Sequence, residues 1–186
     1  MYIVAIDGST SNSGVAVFQT TKNGGLQLVE RNLFSSEEAK YTRKKKNMSK
    51  TAYKLIHAKE KREHMEKAVL YMMESIDSVL EKYKPGIVVM EDTYGQNDMM
   101  TLKMLSRIQG NVIGWCQRNH AEIYLKTPSN WRKQVGMPLV DANGKPLKRK
   151  QFKELAMLLV KQTYQIDVTD DEADAICIGL SVGNAL

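Results

Sequence analysis

Apolar positions along the chain fall into two kinds of run. Short unbroken ones, Ile3-Val4-Ala5-Ile6, Val15-Ala16-Val17-Phe18 and Ile87-Val88-Val89-Met90, read as strands covered on both faces. Longer ones recur at three- and four-residue steps and read as helices. The first strand ends at Asp7, and Gly8-Ser9-Thr10-Ser11-Asn12-Ser13-Gly14 turns the chain into the second. Lys22-Asn23-Gly24-Gly25 is another turn signal, and Leu26 to Phe34 reads as a third strand, so the chain opens with an antiparallel meander.

Helical spacing then dominates. From Thr51 to Lys82 a stripe of Met65, Ala68, Val69, Met72, Met73, Ile76, Val79 and Leu80 marks one buried face. Pro85-Gly86 leads into the strand that ends at Glu91-Asp92. Asn97 or Asp98 can cap the next helix, with Leu102, Leu105, Ile108, Val112, Trp115 and Cys116 inward. Gly110 and Gly114, one turn apart, would let a neighbour approach that helix closely. Ala121 to Lys126 reads as a strand. Thr127-Pro128 starts a short helix through Trp131, Arg132 and Lys133. A loop from Gly136 to Pro146 turns at Asn143-Gly144. Lys148-Arg149-Lys150 leads into a helix with Phe152, Leu155, Ala156 and Leu159 inward, and Thr169-Asp170-Asp171-Glu172 has the capping-box pattern that opens the last helix. The order predicts one α/β domain over residues 1–186. Its mixed central sheet has three antiparallel strands followed by helix-linked parallel strands, with helices on its faces. Ligands of such sheets gather at the carboxyl ends of strands, where Asp7 and Glu91 stand.

Charge and composition narrow the function. Lys and Arg outnumber Asp and Glu by 27 to 21, a net charge of +6, which permits a polyanionic partner. Lys40, Arg43, Lys44, Lys45, Lys46 and Lys50, with Tyr41 among them, read either as a solvated loop or as a phosphate-gripping segment. No apolar run has membrane-spanning length and no signal-peptide pattern opens the chain, so a cytoplasmic protein is expected. Cys116 and Cys177 fall on apolar helix faces and are expected as buried free thiols.

The acids carry the chemistry. Asp7 can cap its own turn, as Asp often does, or it can hold a cation or take a proton. Asp170, Asp171 and Glu172 complement a helix N-terminus. Asp174 lies beyond the first turn, on a helix apolar nearly all round. A buried carboxylate there needs a partner or shifts its pKa upward. Asp171 and Asp174 share a helix face. Hard oxygen ligands from two strand ends and one helix suit two Mg²⁺ ions, with Mn²⁺ able to substitute. Two such ions about 3.5–4 Å apart serve phosphodiester cleavage.

These residues resemble the RuvC-type Holliday junction resolvases of the RNase H-like fold. The likeness runs through Ile6-Asp7-Gly8-Ser9 with Ser13-Gly14, Val89-Met90-Glu91-Asp92-Thr93-Tyr94, Gln109-Gly110, Thr127-Pro128-Ser129-Asn130-Trp131-Arg132-Lys133 and Asp171-Glu172-Ala173-Asp174-Ala175. It implies a metal-dependent endodeoxyribonuclease acting on four-way or other branched DNA, as a homodimer, with Asp7, Glu91, Asp171 and Asp174 as metal ligands. It implies a catalytic cation at Arg132 or Lys133, and an aromatic near the junction crossover at Tyr94. Arg43, Lys44, Lys45, Lys46, Lys148, Arg149 and Lys150 then become DNA contacts. The family usually has Asp-Pro-Gly where this chain has Asp7-Gly8-Ser9, and the segments 35–50 and 136–146 look extended, as in phage-type members, whose setting would be a host cytoplasm. Competing readings are the RNase H-like nuclease of ribosomal RNA processing, a non-catalytic nucleic-acid-binding module, and the sugar-kinase or actin-like phosphate loop, which needs a second lobe.

Overall fold

The computed structural model describes residues 1–41, 49–93 and 98–183. Among them, β1 (Tyr2–Asp7), β2 (Asn12–Thr20), β3 (Leu26–Ser35), β4 (Ile87–Glu91) and β5 (Glu122–Lys126) form one sheet in the order β3-β2-β1-β4-β5. β1 runs antiparallel to β2, with Asp7 opposite Gly14, and parallel to β4, with Ile6 opposite Met90. β4 and β5 are also parallel. The mixed sheet expected from the apolar runs is therefore present, with the second strand longer than its apolar run. Its extra residues, Asn12 to Gly14, pair with β3 and β1 beside the turn that follows Asp7.

Five α-helices cover the two faces among the described residues: α1 (Lys50–Tyr83), α2 (Met99–Asn119), α3 (Pro128–Gln134), α4 (Arg149–Tyr164) and α5 (Asp170–Gly183). Side chains alternate across a strand, so β1 feeds both faces. Val4 and Ile6 pack with Met72, Ile76, Leu80, Ile108 and Val112 of α1 and α2. Ile3 and Ala5 pack with Trp131, Ala173, Ile176 and Ile178 of α3 and α5. Both cysteines are buried and free. Among the described residues no helix is long and apolar enough to cross a membrane.

Helix ends follow their local chemistry. Ser49, Asp98 and Thr127 accept from Ala52, Met100 and Asn130 amides at 3.2, 3.0 and 3.3 Å. The capping box at α5 is closed from both sides. Thr169 N donates to Glu172 Oε2 at 2.9 Å, and Glu172 N donates to Thr169 Oγ1 at 3.3 Å. Arg31 of β3 pairs with Glu172 and ties the start of α5 to the sheet.

Two placements depart from the apolar pattern. Met104, outside the stripe expected for α2, is fully buried against α1, because it lies one turn from Ile108 on the same face. Phe152 leaves the core for a cation, described below, and Val160 takes a buried place on α4.

α5 lies very close to the sheet. A methyl added at Gly14 would overlap the backbone carbonyl of Asp171, and one at Gly179 would overlap the ring of Phe18. Gly14→Ala is expected to cost about 1–3 kcal/mol, as overpacking does. A urea titration measures it, and an unchanged midpoint would show that α5 is not seated on β2 in this way.

Candidate active site

Parallel pairing of β1 and β4 puts their carboxyl ends side by side, and each ends in an acid. Asp7 and Glu91 are the last residues of their strands. The open end of α5 contributes Asp171 and Asp174, three residues apart and on one face. All four line one cleft of about 750 Å³. Arg132, Arg149, Phe152, Lys153 and Asp170 share its wall. Asp7 does not cap its own turn. Ser9 N donates to Ser13 Oγ at 3.0 Å and Ser13 Oγ donates to Ser9 O at 2.8 Å, which leaves Asp7 facing the cleft.

The acids are held at an electrostatic cost. Burial first, and then the charges of Glu91, Asp174 and Asp171, push the Asp7 carboxyl well above the usual carboxylate range. Burial raises Glu91 as well, and a hydrogen bond from Trp131 Nε1 to its Oε2 at 2.8 Å opposes the rise. Asp174 is 7% exposed, and burial raises its carboxyl to about 7 against the opposing Arg132 charge. Its Oδ1 is buried with no hydrogen-bond partner.

The two basic candidates on α3 separate. Arg132 lines the cleft, while Lys133 is exposed and does not. The Arg132 guanidinium lies 4.8 Å from the Trp131 ring centre and 4.3 Å from that of Phe152. Arg149 also faces the cleft, whereas Lys148 and Lys150 are exposed beyond it, Lys150 at 3.7 Å from Glu154. Arg43, Lys44, Lys45, Lys46 and Tyr94 lie outside the described residues. The sequence reading did not find Lys153, which pairs with Asp170 and with Asp171, or the Trp131–Glu91 bond. Lys153 carried a usable signal, since it lies one helical turn beyond Arg149 on the helix facing the acids.

A mixed sheet in this order, with helices on both faces, is the RNase H-like fold. The family model of the crossover junction endodeoxyribonuclease RuvC matches residues 43–182, and the chain belongs to that family. The RuvC proteins of Dictyoglomus thermophilum and Dictyoglomus turgidum are each 26% identical over 111 residues, which is 60% of this chain and 66% of theirs. A Thermus thermophilus RuvC solved with a Holliday junction substrate superposes with a TM-score of 0.64 at 14% identity, covering 100% of this chain and 95% of that one. The fowlpox virus Holliday junction resolvase gives 0.61 at 15% identity, with both chains fully covered.

The donor set fits a hard divalent cation: carboxylates, with no imidazole or thiol among the described residues of the cleft wall, and one buried carboxylate oxygen left unsatisfied. Among the described residues no three of these groups are already gathered as a metal-binding cluster. In metal-free protein Asp174 holds its proton more tightly folded than unfolded. Its contribution to stability therefore falls as pH rises from the unfolded carboxylate range, near 3.8, toward about 7. Asp7 and Glu91 act in the same direction. In chelator, the melting temperature should be higher near about pH 5 than near about pH 8, with Asp174→Asn flattening the slope and gaining roughly 1–3 kcal/mol at the upper pH. A slope of opposite sign would remove the claim that Asp174 is buried uncompensated.

Proposed function

We propose that this chain is a metal-dependent, structure-selective endodeoxyribonuclease that resolves four-way DNA junctions by paired phosphodiester hydrolysis, in recombination and repair. The observation that carries this reading is the convergence of Asp7, Glu91, Asp171 and Asp174 on one cleft, one of them with an unsatisfied buried oxygen, in a chain of the RuvC family. The four acids would hold two Mg²⁺ ions. Bound there, the ions would activate the attacking water and stabilise the leaving oxygen.

The chain's own residues do the rest. Trp131 fixes one oxygen of Glu91 by its indole hydrogen bond, so that this carboxylate reaches the cleft in one orientation. Arg132 is held by the faces of Trp131 and Phe152 instead of by a carboxylate fork; its Nε is buried, and its terminal N–H groups are left for a phosphate. Arg149 adds positive charge on the same wall. Lys148, Lys150 and the basic residues Arg43, Lys44, Lys45 and Lys46 would extend the grip along the DNA backbone. Tyr94 would stack at the crossover, a contact worth about 1–3 kcal/mol per base.

A four-way junction has two-fold symmetry, and a homodimer would present two equivalent sites to opposed strands. The outer face of α2, with Gly110 exposed, is the candidate interface, while buried Met104 takes no part.

Cleavage of a panel of synthetic junctions, flaps, hairpins and duplexes with Mg²⁺ tests the function. Junctions should be cut far faster than linear duplex or single strands. Asp7→Asn, Glu91→Gln and Asp174→Asn should each lower cleavage by more than about a hundredfold while junction binding survives. Equal rates on linear DNA would sink the resolvase reading, and substantial Mg²⁺-dependent turnover by Asp174→Asn would sink the site. Arg132→Ala should slow cleavage strongly and Lys133→Ala little, and the reverse order would exchange their roles.

A further inference from the structure

Lys153 has no task in the reading above, and it is poorly placed for a solvent-facing lysine. Its side chain is 19% exposed, and its ammonium donates to Asp170 and, at 3.1 Å, to Asp171 Oδ1. Asp170 is a first-turn acid that the amides and dipole of α5 already favour. Asp171 is different, because it lies on the face of α5 that carries Asp174, and its charge acts on both Asp7 and Asp174. A divalent ion bound to Asp171 would compete with Lys153 for this carboxylate, whose Oδ1 the ammonium now engages. The Lys153 charge also opposes the upward shifts of both Asp7 and Asp174, so its influence extends beyond the two acids it bonds.

We infer that Lys153 is a tethered counter-cation of the acid cluster, which steadies the metal-free fold and must leave Asp171 before a divalent ion binds there. The inference rests on the metal reading of the four acids. A lysine suits this positioning role: one unit of charge on a flexible four-carbon stem can swing away, whereas a planar arginine fork would bind the carboxylates in two places. Metal loading then trades one cation for another at Asp171. Asp171 then has a cation beside it in both states, and the divalent ion adds the charge that Asp7, Glu91 and Asp174 lack.

The test uses the full chain without DNA, titrated with Mn²⁺ by calorimetry and melted in chelator. Removing the charge with Lys153→Met should tighten Mn²⁺ binding on the order of tenfold. It should also lower the melting temperature in chelator and enlarge the rise that Mn²⁺ produces. Lys153→Gln, which keeps a donor for the two acids without the charge, should behave in the same way and serves if Lys153→Met does not fold without metal. Lys153→Arg, which keeps the charge, should stay at or below wild-type affinity. Unchanged or weaker Mn²⁺ binding by the neutral variants, beside a wild type that does bind, overturns the role of Lys153 alone. Tightening by Lys153→Arg as well would show that geometry and not charge is responsible, and overturns it too. A wild type that binds no Mn²⁺ overturns the metal reading of the acids and this inference with it.

Discussion

The contact between α5 and the centre of the sheet decides where every acid of the cleft stands. Gly14 of β2 lets the backbone of Asp171 come down onto the strand, and Gly179 lets the helix ride over the ring of Phe18. Gly14 is also the register partner of Asp7 across β1 and β2. One close approach therefore fixes the distance between the helix that carries Asp171 and Asp174 and the strand end that carries Asp7. The same contact encloses Ala173, Ala175, Ile176 and Ile178, so a side chain in the second turn of α5 is dry whatever its chemistry. Asp174 is placed and desolvated by a single packing event.

Burying several carboxylates beside one another opposes folding by several kcal/mol for each charge left uncompensated. The chain answers with cations from two helices and with one neutral donor, the Trp131 indole at Glu91. Arg132 of α3 and Lys153 of α4 both oppose the upward shift of Asp174. Arg132 and Arg149 do the same for Glu91. The compensation is incomplete, as the value near 7 for Asp174 and its unpartnered oxygen record. A fully paired set of acids would be more stable and would have little reason to bind a metal. A divalent ion at the proposed site would relieve this residual electrostatic strain, so affinity for such an ion and instability without it would have one origin.

Most of the fold was legible in the sequence, because local periodicity and global packing agree. Unbroken apolar runs became the covered strands β1 and β4, and the long Met-rich stripe became the buried face of α1. Asp7, Glu91, Asp171 and Asp174 could be singled out from strand ends and helix position alone, since those features depend on sequence order. What could not be read depends on contacts between distant segments. Met104 counts as core or surface only once the crossing of α1 and α2 is known. Phe152 has the spacing of a core residue, yet α3 brings Arg132 over its ring. Arg132 and Lys133 are adjacent in sequence and differ only in which one α3 turns toward Glu91. The spacing from Arg149 puts Lys153 on the face of α4 toward the acids, but its partners lie 17 and 18 residues away, at the start of another helix, and only the packing of α4 on α5 brings them together.

The turn after Asp7 shows how one position can be kept by different chemistry. The family usually follows its first acid with proline and glycine, and a proline restrains the backbone by fixing φ. This chain has Gly8-Ser9, which by itself loosens the turn. Hydrogen bonds supply the restraint instead. Fully buried Ser13 both accepts from the Ser9 amide and donates to the Ser9 carbonyl, and the Ser9 hydroxyl accepts from the Ser11 amide at 3.2 Å. The loop closes on itself between β1 and β2 without using the Asp7 side chain. A carboxylate recruited as a cap would have its lone pairs committed to backbone amides. With serines closing the loop, Asp7 keeps its oxygens for the cleft, and the requirement on this turn is a fixed exit from β1 rather than any one residue pair.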